Sequence, residues 1–500
     1  MNRVGIWGSR ILMCIILLIL IVISFTGELV AFNDGKGWDG EIYYNIIENF
    51  DNLIINNGID AYHMNRFFPF AIVHYILKLL NIPITVDSAI ACCKILNGIY
   101  ILLTILYFFG ISKLMKWKQN SEIIAFSFAF FYVNVLKYFG YYPISTDCIT
   151  TMLAFAGAYY YLKKSNIGLL VTGLISFITI PILSAVLFIL ALFPKTPVEN
   201  LDTKDQLSYN IYRILRSICI IAVPALTITY ALYVKIHNPE TTSLFSALTG
   251  FRGARNWPSA ILAIAIIPLF YYYATTILKV NWRDILLSFC NKKIFIRLIL
   301  GSITFILLYY WLKSIGGESY FSMIDQFSRM LQYPSTDILI FLQTHFHFLG
   351  IFFLLFLLYW NDIVDFVRVK FGIGYFIIML SLLIFIMEIE TRKLICFYPF
   401  MLIPLISILN QKQIKLWVVF AIPIISLITS HFWYTFNVPG IEEAFLSRDY
   451  HSFLNYPAQR YYQFQGSFQS HSVYFKSIIL EIILVFSIYL LNKKGLIYTI

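Results

Sequence analysis

The strongest candidate for a chemically active residue is an aspartate just beyond the first long apolar run. Asp39 lies in the segment GWDGEIYY, where its glycine neighbours permit a tight backbone path. Trp38, Tyr43 and Tyr44 are aromatic side chains of the kind that favour a membrane interface. A carboxylate held at such a boundary can act as a general base or bind a cation. The simpler alternative is a solvated loop residue.

Three further acids are candidates to support Asp39 or to bind a metal. Asp34 and Glu41 lie on either side of it in the same segment, and Asp147 opens an apolar run in YYPISTDCITTMLAF. Because Ser, Thr and Asp favour helix N-caps, the structural alternative for Asp147 is an N-cap. The two interpretations are compatible, since a capping acid at a helix mouth can also face a site.

Four arginines are candidate phosphate ligands, because a guanidinium matches the geometry of phosphate oxygens. Arg66 lies in NRFFPF, Arg392 follows an acid in EIETRK, and Arg252 and Arg255 lie in GFRGARN. The alternatives are a headgroup anchor for Arg66 and, for Arg392, a local pair with Glu390 or an anchor.

The composition places these residues in a membrane protein. Of the 500 residues, 59% are hydrophobic and 13% are charged, whereas soluble domains carry roughly 25% charged residues. The mean hydropathy is +0.76. Apolar runs near twenty residues recur, each long enough to cross a hydrocarbon core of ~30 Å. The net charge of +11 comes largely from short loops, where Lys and Arg set topology, so nucleic acid is not an expected partner.

The cysteines and histidines give no metal motif. The seven cysteines lie in or beside apolar segments without metal-ligand spacing, so neither a disulfide framework nor a zinc site is predicted. A helix would splay His345 and His347 of THFHF apart, and helix packing or pore lining is the expected role for both.

The basic loops assign the two sides of the membrane. The N-terminal arginines and the lysines of KLMKWKQN are both predicted to lie inside, so the chain must cross an even number of times between them. The apolar piece 67–82 is short and contains His74 and Lys78, which indicates an amphipathic interfacial helix. Residues 33–87 are therefore predicted to form one outer loop.

The same rule predicts an all-α integral membrane protein with a single polytopic domain over 1–500. The bundle has roughly 12–14 spans, and residues 435–474 form a late outer loop. Residues 166–193 are expected to be two short helices broken at Pro181. The other expected spans lie near 11–32, 89–111, 121–138, 148–162, 214–234, 259–278, 298–313, 337–360, 372–388, 393–409, 416–434 and 475–491.

Four elements in this order resemble the GT-C superfamily of polytopic glycosyltransferases. They are an acid after the first span (GWDGEIYY), an Arg-x-x-Pro before an interfacial helix (RFFP), a Thr-Asp at a span start (STDCITTMLAF) and a late Arg after an acid (ETRKLICFYPF). The likeness is closest to bacterial members with a Tyr/Trp-Asp-Gly-x-x-Tyr-Tyr motif. The Trp-Asp and Phe-Phe-Pro elements are also similar to eukaryotic glycolipid-anchor mannosyltransferases. The motifs cover about 33–165, with weaker support at 388–405.

The resemblance implies an enzyme of the bacterial cytoplasmic membrane with its active site on the extracytoplasmic face. Such enzymes move a sugar from a polyprenyl-phosphate-linked donor to a hydroxyl group of an envelope glycan or glycolipid. The family's first-loop acid falls on Asp39 as general base, its second acid on Asp147 and its phosphate-binding Arg on Arg392. Many members carry Asp-Asp or Glu-x-Asp in the first loop. Here Asp39 stands with Gly40-Glu41, so the role of a divalent cation such as Mg²⁺ or Mn²⁺ stays open.

The physical chemistry of the transfer agrees with this interpretation. The sequence has no nucleotide-sugar-binding pattern, the phosphate leaving group needs cations, and the acceptor hydroxyl needs a base. A single displacement with one base predicts inversion at the anomeric carbon. The alternatives are an envelope polysaccharide polymerase or ligase and, from a different class, a membrane transporter.

Overall fold

The computed structural model describes most of the chain as helices. The described residues are 3–30, 33–56, 58–193, 204–237, 278–317, 340–386, 391–435 and 471–493, with a few short pieces after 435. Several sequence predictions lie outside these residues: the span near 259–278, Arg252, Arg255, Glu390 and most of the loop 435–474.

The helices are numbered in chain order among the described residues. They are α1 (Arg3–Phe25), α2 (Trp38–Ile55), α3 (Ala61–Met64), α4 (Phe68–Leu79), α5 (Val86–Met115), α6 (Gln119–Phe130), α7 (Phe139–Tyr141, preceded by a π-helical turn at Asn134–Tyr138), α8 (Asp147–Leu162), α9 (Asn166–Phe177), α10 (Pro181–Leu192), α11 (Gln206–His237), α12 (Trp282–Phe289), α13 (Lys292–Ile315), α14 (Ile340–Leu349), α15 (Ile351–Leu358), α16 (Trp360–Lys370), α17 (Gly372–Ile386), α18 (Tyr398–Gln411, preceded by a 3₁₀ turn at Thr391–Phe397), α19 (Leu416–Ser430) and α20 (His471–Lys493). Two short strands, β1 (Gln413–Ile414) and β2 (Tyr498–Thr499), pair antiparallel.

Several of these helices are suited to a lipid environment, as expected for a multi-pass membrane protein. Among the described residues, four segments are long and apolar enough to cross a bilayer: 7–25, 86–115, 292–315 and 391–411. The bent pair 119–130 and 134–141 makes a fifth if it counts as one span. Only 6% of the residues in the apolar window of α13 are buried, compared with 89% for the window in 391–411. Apolar side chains on the outside and a buried helix inside fit a bundle surrounded by lipid.

The first predicted loop is helical, and its helices pack on the bundle. The segment predicted at 67–82 is α4, which begins with Pro69 in its first turn, where the missing N–H costs nothing. The 18-residue helix α2 precedes it and packs against it, burying Tyr43, Ile47 and Phe70. The loop is therefore a compact unit that fixes the position of its N-terminal acids.

Two predictions about broken spans have different outcomes. The break at Pro181 is confirmed, because α9 ends at Phe177 and α10 begins at Pro181. The prediction of one continuous span over 337–360 is wrong, because the chain divides into α14, α15 and α16. Gly350 adopts φ +63° at the first break, and a Cβ there would meet Thr429 Oγ1 at 2.7 Å. A close approach to α19 that only glycine allows therefore interrupts the span.

Candidate functional site

The segment before α2 is a run of left-handed residues that delivers Asp39 to the start of a helix. Asn33, Asp34, Gly35 and Gly37 all have positive φ, between 51° and 83°. The side chain of Asn33 donates to the Gly37 carbonyl at 3.0 Å, which closes the turn. Asn, Asp and Gly are the residues that tolerate this conformation, so the sequence FNDGKG encodes the turn directly.

Two glycines let this turn lie against Tyr142. A Cβ on Gly37 would lie 2.3 Å from Cε2 of the Tyr142 ring, so no larger residue fits without movement. The Gly40 N–H donates to the Tyr142 hydroxyl at 3.0 Å, which satisfies one of the free amides in the first turn of α2. Tyr142 thus connects the first loop to the segment before α8.

Asp39 lies beside Arg392, as the sequence predicted for two residues of one site. Its Oδ2 is 4.0 Å from Nη2 of Arg392, and both side chains are more than one third exposed (37% and 38%). The contact is too long for a hydrogen bond. Asp39 is in the first turn of α2, where the helix dipole favours a negative charge. The carboxylate is therefore open to a ligand.

His345 holds the segment that carries Arg392. Its Nε2 lies 2.7 Å from the Ile386 carbonyl and its Nδ1 lies 2.8 Å from the Thr391 hydroxyl. A carbonyl only accepts, so Nε2 carries the proton and Nδ1 accepts from the Thr391 O–H. This confirms a packing role for His345. It also gives the residue a function that the sequence did not indicate, because it connects the end of α17 to Thr391, the residue before Arg392.

Arg66 approaches the same site from the loop between α3 and α4. Its guanidinium lies over the Tyr62 ring at 3.7 Å, and its Nη1 is buried without a hydrogen-bond partner in the described chain. Burial lowers the pKa of Arg66, but Tyr43, Tyr62 and Asp39 nearby outweigh it, so the net pKa shift is upward. The side chain is thus a half-buried, permanent cation whose buried Nη1 donor has no hydrogen-bond partner among the described residues.

Local contacts fix the approach of Arg66. Asp60 caps α3 by accepting from the amides of Tyr62 and His63 at 2.9 and 3.2 Å. The Ala61 N–H donates to the Gly317 carbonyl at 3.2 Å, and the Phe68 N–H donates to the Ile178 carbonyl at 3.3 Å. The short segment is therefore attached on both sides of Arg66 to helices of the bundle.

Asp147 belongs to the same electrostatic neighbourhood. It interacts with Tyr138 and Tyr142, both of which also interact with Arg392. Burial first, and then the negative charge of Asp39, raise the pKa of Tyr142. The alternative of an N-cap is wrong by one residue, because the N-cap of α8 is Thr146 and Asp147 is the first helical residue. An acid in that position is still favoured by the helix dipole.

The other two predicted acids, Asp34 and Glu41, lie beside a lysine that was not a predicted site residue. Lys36 is 7% exposed, and its Nζ lies 2.6 Å from Glu41 Oε2 and 4.0 Å from Asp34 Oδ2. It also lies over the Tyr44 ring at 5.1 Å. Within the described ranges, no group of three His, Cys, Asp or Glu residues is placed to hold a metal ion. A cation already lies between Asp34 and Glu41, so these acids do not fit a divalent metal.

The structure therefore brings four of the predicted residues together and separates two. Asp39, Asp147 and Arg392 all interact with Tyr142, and Arg66 interacts with Asp39. Asp34 and Glu41 pair with Lys36, and Arg252 and Arg255 lie outside the described residues. Lys36 was detectable as the one cation inside the acidic segment, whereas nothing near His345 or Tyr142 in sequence indicates their contacts.

An open carboxylate beside two guanidinium groups can deprotonate a hydroxyl group and stabilise an anionic leaving group. This capacity comes from the local geometry alone. No family model, no curated protein and no solved structure matches the chain.

Proposed function

We propose that this protein is a glycosyltransferase of the GT-C type. It moves a sugar from a polyprenyl-phosphate-linked donor to a hydroxyl group of an envelope glycan or glycolipid on the extracytoplasmic face. The observation that carries this proposal is that Asp39 of the first loop lies beside Arg392, a residue far along the chain, and interacts with Arg66 of the same loop. The resemblance assigned the acid and the late arginine to one site, and Arg66 also suits a phosphate contact by its chemistry.

The residues have distinct roles in a single displacement. The Asp39 carboxylate accepts the proton of the acceptor hydroxyl as its oxygen forms a bond to the anomeric carbon. The bond from that carbon to the phosphate oxygen breaks, and the electron pair remains on the lipid phosphate. Attack from the face opposite the leaving group inverts the anomeric centre.

Arg66 and Arg392 have different roles in binding the phosphate. The Nη1 atom of Arg66 is buried and has no hydrogen-bond partner among the described residues, so it suits a fixed contact with a phosphate oxygen. Arg392 is more exposed and only loosely paired with Asp39. When the donor binds, Arg392 turns to the phosphate and frees the Asp39 carboxylate to act as a base. Asp147 adds negative potential that favours the cationic side chains in the empty site.

The direct genetic test is Asp39→Asn, which is nearly isosteric and removes the base. In cells whose envelope glycan depends on this gene, we expect the product to be lost while the protein level stays normal. The matched control is Asp34→Asn, since Asp34 is an acid of the same loop with an 87% exposed side chain. Normal glycan from Asp39→Asn at a normal protein level contradicts the assigned role.

A transporter is the second candidate, and the broken helices favour it. Segments 119–130 and 134–141 are bent by 51°, and the helices break again at 178–180 and at Gly350. Discontinuous helices at mid-membrane are typical of transporters. Uptake of a solute into vesicles by the purified protein, without any glycosylated product, would select this alternative.

A further inference from the structure

We propose that Lys36 is a positioning residue that takes the place of a divalent metal ion in the first loop. The proposal rests on the function proposed above, because it states how the acids around the catalytic Asp39 are compensated. Glycosyl transfer at this site is then expected to be independent of divalent cations.

The location of Lys36 is unusual for a lysine. It lies in the tight turn between Gly35 and Gly37, its residue surface is 7% exposed, and its Nζ makes a 2.6 Å contact with Glu41. Lysine is almost never buried unless it is paired. The pairing with Glu41, the approach to Asp34 and the Tyr44 ring together compensate the buried charge.

This arrangement separates two groups of charges. Lys36 compensates Asp34 and Glu41, whereas Arg392 approaches Asp39. Each acid of the segment therefore has a cation of the protein beside it. A divalent ion that bridged Asp34 and Glu41 would occupy the position of the Lys36 ammonium group, and an ion at the half-exposed Glu41 carboxylate would bring two positive charges next to Lys36.

Lys36 also fixes the turn geometry. Its backbone N–H donates to the Asn33 carbonyl at 3.0 Å, and its side chain reaches forward to Glu41 in the first turn of α2. The lysine thus connects the turn to the helix on both sides of Asp39. Without it, Asp39 would lose its fixed position relative to Tyr142 and Arg392.

The test uses the purified full-length protein in lipid nanodiscs and Mn²⁺ as the probe. Binding is followed by electron paramagnetic resonance and by the shift in melting temperature. We expect no specific Mn²⁺ binding and no shift for the wild type. For Lys36→Met, which leaves Asp34 and Glu41 uncompensated, we expect Mn²⁺ to bind and to raise the midpoint by about 2–4 °C.

Two further variants keep the test decisive. Lys36→Arg retains the charge and should behave like the wild type. Adding Glu41→Gln to Lys36→Met should abolish the gained Mn²⁺ binding. Stoichiometric Mn²⁺ binding by the wild type that is lost in Glu41→Gln, or an unchanged Mn²⁺ response in Lys36→Met, overturns the proposal.

The activity arm separates this proposal from the proposed function. If transfer is detected, it should persist in EDTA for the wild type, and inhibition that Mn²⁺ reverses overturns the metal-independent role of Lys36. If no transfer is detected with any lipid-linked donor while the Mn²⁺ results hold, the proposed function fails and the structural role of Lys36 stands.

Discussion

Two ionic clusters near opposite ends of α1 handle buried charge in different ways. At the N-terminal end, Arg10 donates two hydrogen bonds of 2.7 Å, one to each carboxylate oxygen of Glu122. Ser112 also bonds to that carboxylate, whose side chain is 3% exposed. Both acceptor oxygens are used, so this cluster is closed.

The cluster beyond the other end of α1 is open. Asp39 and Arg392 approach at 4.0 Å without a hydrogen bond, and both side chains are more than one third exposed. Arg66 has a buried nitrogen with no partner in the described ranges. A saturated pair can only contribute to folding, whereas unused donors and acceptors are available to a ligand. The closed cluster is therefore expected to stabilise the fold and the open cluster to bind a ligand.

Apart from the loss of the base Asp39 itself, the largest effect is expected at Arg66. Arg66→Ala should reduce transfer by about 10²–10³-fold, because it removes an electrostatic stabiliser of the phosphate leaving group. Arg66→Lys should recover part of the loss, since it keeps the charge without the bidentate fork. The rate of sugar transfer from a lipid-linked donor is the measurement. Arg213→Ala is the control, because Arg213 also lies near a tyrosine ring, that of Tyr209, but far along the chain from the site.

Breaking the closed cluster of Arg10 and Glu122 should reduce stability and leave the rate of transfer unchanged. Glu122→Gln leaves Arg10 without its counter-charge, which for a fully buried pair costs ~3–5 kcal/mol of folding free energy. The side chain of Arg10 is 23% exposed, so we expect a somewhat smaller loss. Reversible unfolding in mixed detergent measures it. Transfer per folded molecule should stay near the wild-type rate, and a selective loss of activity would place this cluster in the site.

A smaller effect is expected where His345 holds the arginine segment. Thr391→Val removes the hydroxyl that donates to Nδ1 of the buried histidine, at a cost of about 1–3 kcal/mol in stability. Because Arg392 follows directly, the KM for the donor should rise more than kcat falls. Thr104→Val is the control, since Thr104 is buried but bonds only to the carbonyl of Tyr100 in its own helix.

The smallest effect concerns the cap of α3. Burial opposes ionisation, but hydrogen bonds from His63 and from two backbone amides lower the pKa of Asp60 below its ordinary value. A lowered pKa in the folded state stabilises the protein above the unfolded pKa of about 3.9, and that contribution is lost as the pH falls through the folded value. Asp60→Asn still caps the helix, so it should cost under ~1 kcal/mol near neutral pH.

The pH dependence of that difference can be checked by stability measurements from pH 7 down to pH 3. The gap in unfolding free energy between the wild type and Asp60→Asn should be constant at the higher pH values and should close in acid. A gap that widens on acidification would show that the hydrogen bonds to the ionised Asp60 carboxylate are not its cause.

Local chemistry predicted some elements of this molecule well. The turn FNDGKG and the two helices at Pro181 follow from residue types that dictate backbone shape, whereas the grouping of Asp39 with Arg392 came from the family resemblance. The sequence did not predict which cation pairs with which acid, because three acids and one lysine within eight residues permit several pairings. Only the left-handed turn, with Gly35 and Gly37 on either side of Lys36, decides among them.

Long-range packing explains the other misses. The hydropathy of 337–360 is that of one continuous span, but the helix breaks at Gly350, which lies close to Thr429 on α19. The sequence around His345 is that of an ordinary apolar helix, yet the histidine forms a hydrogen bond with Thr391. Both contacts join residues that are far apart in the chain, and no local pattern encodes them. Helix existence was therefore predictable, whereas the partners of buried polar groups were not.

The central claim is that the open cluster transfers a sugar from a lipid-phosphate donor with Asp39 as the base. The most direct measurement incubates purified wild-type protein and Asp39→Asn, at matched melting temperatures, with a panel of polyprenyl-phosphate sugars and envelope acceptors. We predict a product with inverted anomeric configuration from the wild type and a loss of about 10²–10⁴-fold in Asp39→Asn. Equal rates from the two proteins, or a product with retained configuration, would contradict the claim.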